Sequence, residues 1–185
     1  MFDSIFKSVR TIADFTQAEL DLFSNSIEVK EIHKGDFLLS EGEISNALYF
    51  INQGALRRFK NIDGYNERTL DLYIEGDWAF DHPSFMKQAK TENNIEACED
   101  STVLSLSVEP LHSLIQKAPR FFSLGRILDN SKREEKLDLN SPESLYKDLL
   151  ENKPEYLQRF PLKHIASYLG VTPETLSRVR AKIKA

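Results

Sequence analysis

Residues 161–184 read PLKHIASYLGVTPETLSRVRAKIK, two helical stripes interrupted by a turn. Leu162, Ile165, Ala166 and Leu169 fall at i, i+3, i+4 and i+7, one complete apolar face of a short helix. Gly170 follows at once, four residues after Ala166. A small alanine lets a second helix approach closely, and glycine accepts the left-handed backbone of a tight turn. Thr172 and Pro173 then supply an N-cap and a first-turn proline. The helix they launch carries Leu176, Val179 and Ile183 in a single stripe. The expectation is a helix-turn-helix, two short helices meeting at a steep angle.

The opposite edge of the second helix carries chemistry. With Leu176 at zero, the apolar stripe lies near ~0°, ~300° and ~340°, while Ser177, Ala181, Glu174 and Arg178 lie near ~100°, ~140°, ~160° and ~200°. Arginine can donate two bonds to guanine, glutamate can accept from the cytosine amino group, and serine can do either. A mixed Glu174/Ser177/Arg178 edge therefore suits base readout, whereas a uniformly basic face would meet only phosphate. Lys163, Arg180 and Lys182, with Thr172, Thr175 and the N–H groups at the helix start, suit phosphates.

Charge segregation agrees. The chain carries −5 overall, yet Leu157 to Ala185 holds six basic residues against the single acid Glu174, so +5 there leaves −10 upstream. A small basic unit attached to an acidic sensor domain has this distribution.

Upstream the texture is that of short strands. Ile27–Lys30 alternates, Phe37–Leu39 and Ala47–Ile51 are apolar, Ala55–Phe59 follows, and Arg68–Ile74 alternates after the Asp63-Gly64 hairpin signal. Further strands are expected at Ile95–Cys98 and Thr102–Leu106. Strands punctuated by Gly and Asp about every ten residues indicate an antiparallel sandwich or barrel. Thr16 and Glu19 form a capping box for a helix through Asn25. Val108–Lys117 reads as a short helix and Pro119 opens a longer one, with Phe121, Leu124 and Leu128 on one stripe. Ser141-Pro142 starts another helix, which Asn152-Lys153-Pro154 stops.

The composition, 41% hydrophobic and 29% charged with twelve Phe and six Tyr, is that of a folded chain with a sizeable core. No apolar run approaches the roughly 20 residues of a membrane span, and the N-terminus lacks the pattern of a secretion signal, so a cytoplasmic location is expected. The single Cys98 excludes an internal disulfide and is expected to be a buried structural thiol. His33, His82, His112 and His164 show no metal-ligand spacing, with His82 read as a loop residue beside Pro83, and no catalytic motif is present. No metal, cofactor or enzymatic activity is expected.

The whole chain resembles the Crp/Fnr family of transcription regulators. Lys34-Gly35-Asp36-Phe37-Leu38-Leu39-Ser40-Glu41-Gly42-Glu43 and Leu48–Gly54 look like the first half of that family's cyclic-nucleotide-binding-like β-roll, and Val171–Arg178 looks like its recognition helix. The resemblance implies an α+β fold: an antiparallel β-roll sensor over residues 1–118, a long connecting and dimerisation helix over 119–140, and a helix-turn-helix domain over 141–185. It implies base contacts by Glu174, Ser177 and Arg178, a homodimer joined through the helix at about Pro119 to Leu139, and double-stranded DNA, RNA polymerase and a small-molecule effector as partners.

Two features depart from the family. Its nucleotide-binding members carry Gly-Glu and, some ten residues on, Arg-Ser/Thr-Ala; here Gly76-Asp77 is followed by Thr91 at the arginine position, with Glu92 beside it. A phosphate would meet a carboxylate with no offsetting cation, so cyclic AMP is not the expected effector. Asp77, Trp78 and Phe80 are the candidate lining of an effector pocket. The stretch Pro154 to Phe160 leaves little room for the β-hairpin that some relatives place before the motif. The alternative reading is a ligand-binding or scaffold module without sequence-specific DNA binding, which would have no use for an outward Glu174/Ser177/Arg178 edge.

Overall fold

The structure is a computed structural model that describes residues 1–63, 66–128 and 141–184. Two N-terminal helices, α1 (Asp3–Arg10) and α2 (Gln17–Ser24), precede the strands. The capping box forms as expected: the Glu19 N–H donates to the Thr16 hydroxyl at 3.3 Å and the Thr16 N–H to the Glu19 carboxylate at 2.7 Å.

Eight strands follow: β1 (Glu28–Ile32), β2 (Phe37–Leu39), β3 (Ala47–Gln53), β4 (Leu56–Asn61), β5 (Glu67–Tyr73), β6 (Trp78–Ala79), β7 (Asn93–Ala97) and β8 (Ser101–Ser107). They form two four-stranded antiparallel sheets, ordered β1-β8-β3-β6 and β2-β7-β4-β5. Their period of two decides where each side chain goes. In the β3–β8 pairing, Leu48 opposite Leu106 and Phe50 opposite Leu104 face the helices, where they join Ile5, Leu20, Phe23 and Leu114 in one core. Tyr49, Ile51 and Val103 point the other way and pack with Leu39, Leu56, Ala79 and Ile95 in the core between the sheets. β4 and β5 pair antiparallel on either side of the expected hairpin turn, whose Gly64 lies outside the described residues.

A short helix not anticipated from the sequence, α3 (His82–Lys87), leaves β6. Asp81 caps it by accepting from the Ser84 N–H at 3.0 Å, and Pro83 sits in its first turn, so His82 is helical rather than a loop residue. Helix α4 (Val108–Lys117) matches the expected stretch. The stretch opened by Pro119 differs: it is a 3-10 turn over Pro119–Leu124 and only then an α-helix, α5 (Gly125–Leu128). Phe121, Leu124 and Ile127 are buried in the chain's own core, while Phe122 is 77% exposed. The stripe expected on a dimerisation helix thus packs, as far as Leu128, against the chain's own core. The rest of the expected helix, 129–139, lies outside the described residues.

The C-terminal unit is built from α6 (Pro142–Asn152), α7 (Pro154–Arg159), α8 (Leu162–Tyr168) and α9 (Pro173–Lys184). Ser141 caps α6 by accepting from the Ser144 N–H at 3.3 Å. The connection at Pro154–Phe160 is the helix α7: the proline that stops one helix sits at the start of the next. None of the described helices is long and apolar enough to cross a membrane.

Candidate nucleic-acid interface

Helices α8 and α9 form from the residues read for them. Gly170 takes φ +68° at the turn, and the Val171 N–H donates to the Ala166 carbonyl at 2.9 Å, so the backbone doubles back over the small alanine. Thr172 caps α9: its hydroxyl accepts from the Thr175 N–H at 3.2 Å and its carbonyl from the Leu176 N–H at 3.0 Å. Ile165, Ala166, Leu169, Leu176 and Val179 are buried with Tyr146, Leu149, Tyr156 and Phe160.

The opposite edge is in solvent. Glu174, Ser177 and Arg178 are all exposed, as are Lys163, Thr172 and Lys182, while Thr175 and Arg180 are half-buried. The hydrogen bond that Glu174 accepts from its own backbone N–H, the Thr172 hydroxyl and the nearby Arg178 guanidinium hold the Glu174 carboxyl below its ordinary pKa. It is ionised at neutral pH and available as an acceptor. Lys182 pairs with Glu143 of α6 at 2.6 Å, and that contact lowers the Glu143 pKa. A phosphate reaching Lys182 would have to displace this exposed carboxylate, a small cost in water.

The region named for an effector is differently used. Trp78 packs edge-on against Phe50 at 5.2 Å between ring centroids and donates from Nε1 to the Ser8 hydroxyl at 3.1 Å. Phe80 packs on Phe85, and the Asp77 carboxylate accepts from the Ile74 N–H at 3.1 Å, closing the turn before β6. None of these three residues lines either of two cavities beside α3. One, about 520 Å³ and mostly apolar, lies among α3, α4, the 3-10 turn and α5, with Phe85, Met86, Leu111, Phe122 and Leu128 in its wall. The other, about 310 Å³, lies at the degenerate phosphate cassette and is lined by Asp81, Lys87, Lys90, Thr91, Glu92 and Asn93, among others.

This second cavity corrects the charge argument drawn from the sequence. Thr91 is buried at the arginine position, but Lys87 and Lys90 also border the site, and Glu92 is paired with Lys60 at 2.5 Å. Behind the cavity, the buried Arg58 of β4 bridges Asp71 at 2.7 Å and Asp81 at 3.0 Å, and Asp81 also accepts from the Asn93 amide at 2.6 Å. Burial works against the Asp81 charge, but Asn93, the Ser84 N–H and Arg58 outweigh it and keep its pKa below the usual value. Periodicity could not reveal this network, because it joins polar residues on β4, β5, β7 and the α3 cap.

Among the described residues, no group of three or more His, Cys, Asp or Glu is placed to hold a metal ion.

Residues 29–118 match the cyclic nucleotide-binding domain family. The cyclic AMP receptor protein of Thermus thermophilus is 28% identical over 171 residues, covering 87% of this chain and 79% of its own. The fumarate and nitrate reduction regulatory protein of Vibrio cholerae is 28% identical over 193 residues, covering 91% of this chain and 74% of its own. The crystal structure of the Thermus thermophilus catabolite activator protein superposes with a TM-score of 0.58 at 25% identity, over 94% of this chain and 85% of that one. Over residues 29–118 the β-roll is similar to the cyclic nucleotide-binding domain family. Over most of its length, the chain is a homologue of the Crp/Fnr transcription regulators.

Proposed function

We propose that the chain is a DNA-binding transcription regulator of the Crp/Fnr type, working as a homodimer on a near-palindromic operator. Glu174, Ser177 and Arg178 read base edges, and Lys163, Thr172, Thr175, Arg180 and Lys182 hold phosphates. The observation that carries this reading is the two-sidedness of α9: Leu176 and Val179 are buried, while Glu174, Ser177 and Arg178 stand in solvent on the far side. A scaffold module would gain nothing from an exposed acid, hydroxyl and guanidinium on one helical edge. Two such helices about a two-fold axis read half-sites roughly 34 Å apart. The effector is unidentified, and cyclic AMP is disfavoured because the buried Thr91 stands where the family's nucleotide-binding members place the arginine; RNA polymerase is the further partner at a promoter.

Selection of bound sequences from random duplex DNA, with and without a small-metabolite extract, tests the reading. An enriched pool with two inverted half-sites supports it. A pool left unenriched under both conditions refutes it.

A further inference from the structure

Strand β5 is the outer strand of its sheet, so one side of its backbone has no strand partner. Such edges are normally blunted or covered. Here the C-terminal helices cover it. The Ser167 hydroxyl of α8 donates to the Glu67 carbonyl at 3.0 Å and accepts from the Thr69 N–H at 2.8 Å, satisfying two edge groups with one side chain. The Tyr156 hydroxyl of α7 donates to the Leu72 carbonyl at 2.8 Å. Arg159 is ion-paired with both Glu75, just after β5, and Glu99, just after β7. Leu72 and Ala55 of the roll are buried in the same apolar cluster as Tyr146, Ile165 and Leu176.

At the seam Cys98, half-buried rather than buried as expected, meets the buried His164, with Sγ and Nδ1 4.0 Å apart. Burial pushes the Cys98 thiol up to about 12, so in this arrangement it is a poor nucleophile. All of this docking uses the back and side of the helix pair. Lys163 of α8 and the Glu174/Ser177/Arg178 edge of α9 remain exposed.

We infer that α7 and α8 latch the DNA-binding unit onto the open edge of β5, and that the latched state is the one competent for operator binding. The inference rests on the function proposed above and adds how the same surface is regulated. A helix pair fixed to the roll holds its recognition edge at a defined position, whereas an undocked pair must first be ordered, which reduces apparent affinity by the fraction docked. Whatever shifts the β4–β5 hairpin therefore changes DNA affinity through this edge.

The single cysteine gives a readout independent of DNA. Ser167→Ala removes both edge hydrogen bonds, and Tyr156→Phe removes the third while keeping the ring; circular dichroism and melting select the variants that stay folded. We expect alkylation of Cys98 by a maleimide to accelerate on the order of tenfold in either variant, because opening of the seam uncovers the rest of the half-buried thiol. Affinity for the selected operator should fall by a similar factor, with binding to random DNA unchanged. Because coupling is reciprocal, operator DNA should slow Cys98 alkylation in the unmodified protein. An unchanged alkylation rate in both variants overturns the latch. Faster alkylation with undiminished operator affinity, or operator DNA that speeds alkylation, overturns its assignment as the competent state. Failure of the DNA selection itself would sink the function and leave the alkylation result intact.

Discussion

Lowering the pH from 7 to 5 should weaken this protein through one imidazole. His164 is 8% exposed, its Nε2 has no hydrogen-bond partner among the described residues, and its Nδ1 lies against the Cys98 thiol. Burial first, then the Arg57 and Lys163 cations, push its pKa down to about 4, with Glu67 opposing them. The unfolded chain, with an ordinary histidine near ~6.5, binds more protons than the native state between the two values, so stability falls as pH drops through that window. The contribution is complete above about pH 6.5 and lost on the way to pH 4. At pH 5 the difference corresponds to roughly 2 kcal/mol, from ~1.4 kcal/mol for each tenfold excess of protonation in the unfolded state. Urea unfolding at pH 7 and pH 5, in wild type and His164→Leu, isolates this residue, because every other titrating group contributes to both proteins alike. The loss between the two pH values should be smaller by about 2 kcal/mol in the variant. Equal losses would mean that His164 accepts its proton without cost, and the reasoning about its burial would be wrong.

Four further outcomes follow from the geometry. Arg178→Ala should cost about 1–3 kcal/mol on the selected operator and relax one base position, while Lys182→Ala weakens all sequences alike and lowers the salt slope by about one; competition binding across salt concentrations separates the two. Gly54→Ala should destabilise by roughly 2–4 kcal/mol in chemical denaturation, because the added carbon must sit at φ +108° and only 2.7 Å from the Ser101 Cα. Arg58→Ala leaves the Asp71 and Asp81 carboxylates without their buried cation and should cost about 3–5 kcal/mol, measured the same way. Saturating cyclic AMP should leave the melting temperature unmoved, where a true site at a hundredfold excess over Kd would raise it by roughly 5–10 °C.

Much of this molecule could be read from the order of its residues because its signals are local. The capping box at Thr16, the Ala166–Gly170 spacing and the apolar run of β3 each depend on neighbours a few positions away. Helix α3 was legible in principle, since Asp81-His82-Pro83 is a cap followed by a first-turn proline, but two apolar residues are too few to show a period. Helix α1 has no side-chain cap at Phe2, and its signal is instead the short stripe of Phe2, Ile5, Phe6 and Val9. Pro154 marks both a stop and a start, and the start carries little signal because α7 is short and has no side-chain cap. The surface edge of α9 follows from a helical wheel. The seam between α8 and β5 does not, because Ser167 finds its partners 98 and 100 positions upstream and a lone serine on a helix has no periodic meaning.

The cover over β5 also bears on engineering. Recognition modules are often treated as parts that can be moved between sensors. In this chain, a truncation after Leu128 would remove the hydroxyls that occupy the strand's outward carbonyl and amide groups, and would bare Leu72 beside them. The shortened β-roll would then offer a sticky ribbon for a neighbouring molecule to extend, the starting condition for strand-by-strand polymerisation. A chimaera that keeps α9 but replaces Tyr156 and Ser167 inherits the same hazard, so the transplantable piece runs from α6 onward and includes the rim it sits on.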